Sequence, residues 1–83
     1  MARPRVEIFS GPGCQHCAQA KTLLKLYGVE FEEYDVSRPE HLREFATRLP
    51  RARSIPQIFI NGNHIGNDED LRILADKGGL DDV

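Results

Sequence analysis

Val6-Glu7-Ile8-Phe9-Ser10-Gly11-Pro12-Gly13-Cys14-Gln15-His16-Cys17 is the stretch on which the reading of this chain turns. Val6 to Phe9 reads as a short strand, and Gly11-Pro12-Gly13 forces a turn that delivers Cys14 to the start of a helix. Two cysteines two residues apart at a strand-to-helix junction, with no other cysteine in the chain, mark a redox pair. The amino end of a helix offers a positive dipole and unpaired backbone N–H groups, so a thiol seated there ionises more readily. The thiolate is the attacking species, and Cys14 holds that seat. Cys17, one turn further on, can reach back to attack a mixed disulfide on Cys14 and release the bound partner.

Two other uses of the motif are open. Cys-X-X-Cys also begins many zinc sites, and His16, His41 and His64 are available as ligands. A structural zinc site needs four closed ligands, however, and the sequence has neither a second cysteine pair nor a His-X3-His. A purely structural disulfide would close a tiny loop, for which the gain in stability is small.

The 83 residues, with a formal net charge of -2 and 40% hydrophobic content, suffice for one small core, so residues 1–83 are read as a single domain. Met1-Ala2-Arg3-Pro4-Arg5 leads into the first strand without a long apolar stretch or a small-residue cleavage site. No leader or membrane span is expected, and a cytoplasmic location is. The near-balanced charge contains no basic stripe able to neutralise many phosphates, which argues against a nucleic-acid partner.

Along the chain, Ala20, Leu23, Leu24 and Tyr27 recur at helical spacing and Gly28 suits a left-handed cap, so helix one spans Gln15 to Tyr27. Phe31, Tyr34 and Val36 form a second strand. Ser37-Arg38-Pro39-Glu40 has the pattern of a capping box with proline in the first turn, ahead of Leu42, Phe45, Ala46 and Leu49. Gln57 to Ile60 and His64-Ile65 flank Asn61-Gly62, a strong hairpin signal. Asp68 is placed to cap a last helix bearing Leu71, Leu74 and Ala75, closed by Gly78. Phe9, Leu23, Phe45 and Ile58 are read as core.

The order β-α-β-α-β-β-α implies an α/β fold: a four-stranded mixed sheet with three helices, in which the first crossover makes a parallel pair and the hairpin an antiparallel one. This is the thioredoxin fold. The chain resembles a glutaredoxin of the small bacterial dithiol type along almost its whole length. The resemblance rests on Cys-X-X-Cys after the first strand, on Ser54-Ile55-Pro56-Gln57-Ile58-Phe59-Ile60-Asn61-Gly62, on His64-Ile65-Gly66, and on Lys77-Gly78-Gly79-Leu80-Asp81.

The resemblance implies a glutathione-dependent thiol–disulfide oxidoreductase, with Cys14 and Cys17 catalytic, glutathione as cosubstrate and no tightly bound cofactor or metal. Protein disulfides and glutathionylated proteins would be the clients, and a monomer is expected. It also implies a cis bond before Pro56, leaving the backbone of Ile55 free to pair with an extended tripeptide beside Ser54. The γ-glutamyl end would lie at the start of the last helix, at Asn67, Asp68 and Glu69, with Asp70 adjacent, where N–H groups meet a carboxylate and an acid meets the amine. Arg43, on the second helix, matches a family position that contacts the glycine carboxylate.

Three positions depart from the family pattern. Gly11 stands where most members have lysine, removing a cation that would favour the Cys14 thiolate. Gln15-His16 replaces the usual Pro-Tyr and makes His16 a candidate for tuning the Cys14 pKa, because a protonated imidazole there favours the thiolate. Gly66-Asn67-Asp68-Glu69-Asp70 carries one carboxylate more than usual, which would repel an anion. Two alternatives stay open: a dimer bridging a [2Fe-2S] cluster with Cys14 as ligand and glutathione alongside, and a redoxin served by thioredoxin reductase.

Overall fold

A computed structural model describes residues 4–81; Met1, Ala2 and Arg3, part of the segment read above for a leader, lie outside it, as do Asp82 and Val83. The elements follow the expected order: β1 (Val6–Ser10), α1 (Gln15–Leu26), β2 (Glu32–Asp35), α2 (Pro39–Arg48), β3 (Gln57–Ile60), β4 (Asn63–Gly66) and α3 (Asp68–Asp76). The sheet runs β2-β1-β3-β4, with β1 parallel to β2 and antiparallel to β3, and β3 antiparallel to β4. This is the thioredoxin fold.

Strand alternation sends successive side chains to opposite faces of the sheet. Val6, Ile8 and Ile58 pack with Ala20 and Leu24 of α1 and with Leu71 and Ala75 of α3. On the opposite face Phe9 and Phe59 meet Phe45 of α2. All five residues of β1 are buried, as a central strand covered on both sides must be. Glu7 is among them, only 2% exposed. Arg48 reaches it from α2 with two hydrogen bonds, 3.1 and 3.0 Å, and the Tyr34 hydroxyl donates a third at 2.8 Å. The Arg48 guanidinium lies 5.6 Å from the Phe9 ring centroid and 5.1 Å from that of Phe59, so its charge is held between aromatic faces. Arg48 holds the Glu7 carboxyl below its ordinary value against the upward push of burial. Burial first, then the hydrogen bond to Glu7, pushes the Tyr34 phenol up to about 12.

Three local expectations are corrected. Ser37 does not cap α2: the chain is still in a turn there, with the Ser37 N–H donating to Asp35 at 2.8 Å, and the helix begins one residue later with Arg38 as an N-cap that makes no side-chain cap bond. Asp68 does not cap α3; it is the first helical residue, and Asn67 is the cap. Leu42 is 51% exposed and Ala46 is exposed, so α2 presents to the sheet a stripe narrower than its apolar spacing implied, centred on Phe45. The hairpin forms as expected, with Asn61 and Gly62 at φ 52° and 81°, both left-handed, as a type I′ turn demands.

Candidate active site

The strand-to-helix turn after β1 ends with Cys14 as the N-cap of α1. The Cys17 N–H donates to Cys14 Sγ at 3.1 Å, so sulfur plays the part that a serine or aspartate oxygen usually takes at a helix start. Cys14 and Cys17 are joined as a disulfide. Cys14 is half-buried, while Cys17 is 1% exposed, so a partner reaches the first sulfur and not the second. No acid lies in the first turn of α1 to oppose a developing negative charge. Ser10, buried at the end of β1, donates to Glu33 at 2.6 Å, and Lys21 of α1 donates to the same oxygen at 2.8 Å. The end of β1 and the second turn of α1 are thus tied to one carboxylate of β2, which Lys21 and then Ser10 hold below its ordinary value.

The peptide bond before Pro56 is cis, and Pro56 is buried. The Ile55 carbonyl oxygen lies 3.8 Å from Cys14 Sγ, so residues distant in sequence line one site. Gln57 holds this loop: its Nε2 donates to the Ser54 carbonyl at 3.1 Å, and its Oε1 contacts His64 Nε2 at 2.7 Å. Sequence reasoning missed the Gln57–His64 support, because it joins residues diagonal to one another across the β3–β4 hairpin and carries no motif. Gly11 also borders the loop. A Cβ there would sit 2.9 Å from Ile55 Cδ1, so the missing side chain makes room for Ile55.

At the start of α3 the Asn67 side chain accepts from the Asp70 N–H at 3.0 Å while the Asp70 carboxylate accepts from the Asn67 N–H at 3.0 Å. Gly66, at φ 125°, accommodates this capping box, since a Cβ there would collide with the Asp70 carboxylate. The Asn-X-X-Asp spacing was the sequence signal for it. With Asn67 and Asp70 so engaged, the N–H groups of Asp68 and Glu69 are the first-turn donors left to an outside anion. His16 Nδ1 contacts Asp68 Oδ2 at 2.9 Å, joining the Cys-X-X-Cys turn to α3. Glu69 and Ser54 are exposed, as is Arg43 on α2, for which no hydrogen bond or ion pair is seen among the described residues. The structure therefore gathers Cys14, Cys17, Ile55 and Pro56 at one point, links His16 to Asp68, and leaves Arg43 apart from any of these contacts.

The glutaredoxin family model matches residues 6–65, from the first strand into the last. The chain belongs to the glutaredoxin family. It is 42% identical over 78 residues to a probable glutaredoxin of Synechocystis, covering 93% of this chain and 89% of that one. It is 40% identical over 76 residues to glutaredoxin 3 of Escherichia coli K12, covering 92% of each. The solution structure of a glutaredoxin from Brucella melitensis superposes with a TM-score of 0.76 at 46% identity, over 93% of this chain and 84% of that one. Family membership together with the Cys14–Cys17 pair makes this glutaredoxin a thiol–disulfide oxidoreductase. Among the described residues, no helix is long and apolar enough to cross a membrane.

Proposed function

We propose that this glutaredoxin uses glutathione to reduce protein disulfides and glutathione mixed disulfides, in a reducing cytoplasm. The observation that carries the reading is Cys14 at the N-cap of α1, open to solvent on one side and facing the Ile55 carbonyl on the other, with Cys17 buried behind it. In the reduced protein the Cys17 N–H and the α1 dipole favour the Cys14 thiolate, and nothing buried has to move for it to be attacked or to attack.

With a glutathionylated protein, the Cys14 thiolate attacks the glutathione sulfur. The client leaves as a thiolate and takes a proton from water, and Cys14 carries glutathione as a mixed disulfide. A second glutathione thiolate attacks that glutathione's sulfur, which releases oxidised glutathione and restores Cys14. With a protein disulfide, Cys14 forms a mixed disulfide with the client and Cys17 attacks Cys14. The reduced client departs, the Cys14–Cys17 disulfide forms, and two glutathiones then return it to the dithiol as one molecule of oxidised glutathione.

Glutathione is held like a short added strand, its cysteinyl backbone against Ile55 beside Ser54 and Pro56. Its γ-glutamyl carboxylate meets the N–H groups of Asp68 and Glu69, a position that the Asn67 cap shapes, and the Glu69 carboxylate meets its ammonium. Arg43 receives the glycine carboxylate.

The test is turnover of a glutathionylated peptide with glutathione and a coupled NADPH readout. Cys14→Ser abolishes turnover, while Cys17→Ser keeps much of it because glutathione resolves the adduct. Equal losses in the two variants would refute the glutathione-resolved route.

A further inference from the structure

His16 and Asp68 each lie in a stretch that departs from the family pattern, the second among the three acids of the α3 start. The two departures meet. His16 is 70% exposed and Asp68 17% exposed, and their contact of 2.9 Å is, among the described residues, the side-chain hydrogen bond that spans the first turns of α1 and α3. A carboxylate only accepts, so Nδ1 of His16 carries the hydrogen.

An acid at the first residue of a helix has the amides of its own first turn as its nearest donors, and the helix dipole draws it toward them. Here those amides are the Asp68 and Glu69 N–H groups, since the capping box has engaged those of Asn67 and Asp70. A carboxylate lying over them would exclude an incoming carboxylate by occupancy and by repulsion. The Asp68 carboxylate is instead turned across to α1.

Building on the glutathione reading above, we propose that His16 is a positioning residue for the γ-glutamyl subsite: it holds the Asp68 carboxylate against α1 and so keeps the α3 amides open. His16 touches neither the reacting sulfur nor the ligand in this role; it acts through Asp68.

The test compares a glutathionylated peptide with the same peptide carrying a cysteine mixed disulfide, which lacks the γ-glutamyl group. His16→Ala raises KM for the glutathionylated peptide about three- to fivefold, the scale of one exposed charged hydrogen bond, and leaves kcat within about twofold. It leaves kcat/KM for the cysteine mixed disulfide unchanged. His16→Asn, whose amide nitrogen occupies the place of Nδ1, restores KM, whereas His16→Gln does not. In an Asp68→Asn background, His16→Ala has no further effect. An unchanged KM in His16→Ala, or the same rise with Asp68 already replaced, overturns this role while the glutathione reading stands. A parent protein that handles both peptides equally well overturns the two together. Far-UV circular dichroism and Tm accompany each variant, and an exposed position such as His16 leaves both intact.

Discussion

Replacing Arg48 with methionine isolates the buried charge at the centre of the sheet. Methionine keeps most of the apolar stem and deletes the guanidinium, leaving the Glu7 carboxylate, 2% exposed, without its bidentate partner. Breaking one side of a buried ion pair costs about 3–5 kcal/mol. Glu7 retains the Tyr34 hydroxyl at 2.8 Å and the mostly exposed Arg5 guanidinium at 3.4 Å, which lowers the expected cost to about 3 kcal/mol. For a chain of this size that corresponds to a fall in Tm of about 12–24 °C. Urea unfolding at pH 7, followed by far-UV circular dichroism, reads it directly.

Glu7→Gln in the Arg48→Met background removes the stranded charge and recovers at least about 1 kcal/mol. The pH dependence has a defined sign. Arg48 holds the folded Glu7 carboxyl below its ordinary value of 4.5, so the stabilisation is fully present above that value and is lost as pH falls through the lowered folded one. With Arg48 gone, burial makes Glu7 take up its proton at a higher pH than in the parent, so the gap between parent and Arg48→Met narrows as pH falls toward the parent's lowered folded value. A cost under about 1 kcal/mol, or a double variant no more stable than Arg48→Met, refutes the account of Glu7 as a buried charge that depends on Arg48.

Asn67→Ala removes half of the capping box and costs about 1 kcal/mol, seen as a fall in Tm; the backbone N–H of residue 67 still donates to the Asp70 carboxylate in that variant, so adding Asp70→Ala removes the second bond and lowers Tm further. Gly11→Lys introduces a cation near Cys14 and speeds alkylation of the reduced protein by iodoacetamide at pH 7 roughly threefold, with Ile55 Cδ1 moving to admit the new Cβ. Gln57→Leu releases the Ser54 carbonyl and His64 together; it lowers kcat/KM for every disulfide substrate while Cys14 alkylation in the reduced protein stays at the parent rate. Gly28→Ala, at φ 69° with open space around the added methyl, costs about 1 kcal/mol through backbone conformation alone, measured by urea unfolding.

The order of elements was legible because each boundary is marked by a residue with a local conformational reason: Gly11-Pro12-Gly13 before α1, Gly28 after it, and Asn61-Gly62 between β3 and β4. Local reasoning went wrong at Ser37 and Asp68. Several polar residues there could cap a helix, and hydrogen bonds to Asp35 and Asp70, set by the approach of the chain, decided among them. Leu42 and Ala46 had the right spacing but not a burying partner. The redox pair was legible for a similar local reason, since a thiol at a helix start with a second thiol one turn on needs no tertiary information to be recognised.

Periodicity, turn residues and the cysteine spacing thus determined the order of elements and the Cys14–Cys17 pair at the head of α1, because these are properties of short segments. Tertiary packing alone decided that Ile55 faces Cys14 across 41 positions of chain, that Arg48 answers the charge of Glu7, and that His16 takes hold of Asp68. Each of these joins elements whose separation in space comes from how helices seat on the two faces of the sheet, and no local pattern encodes that distance.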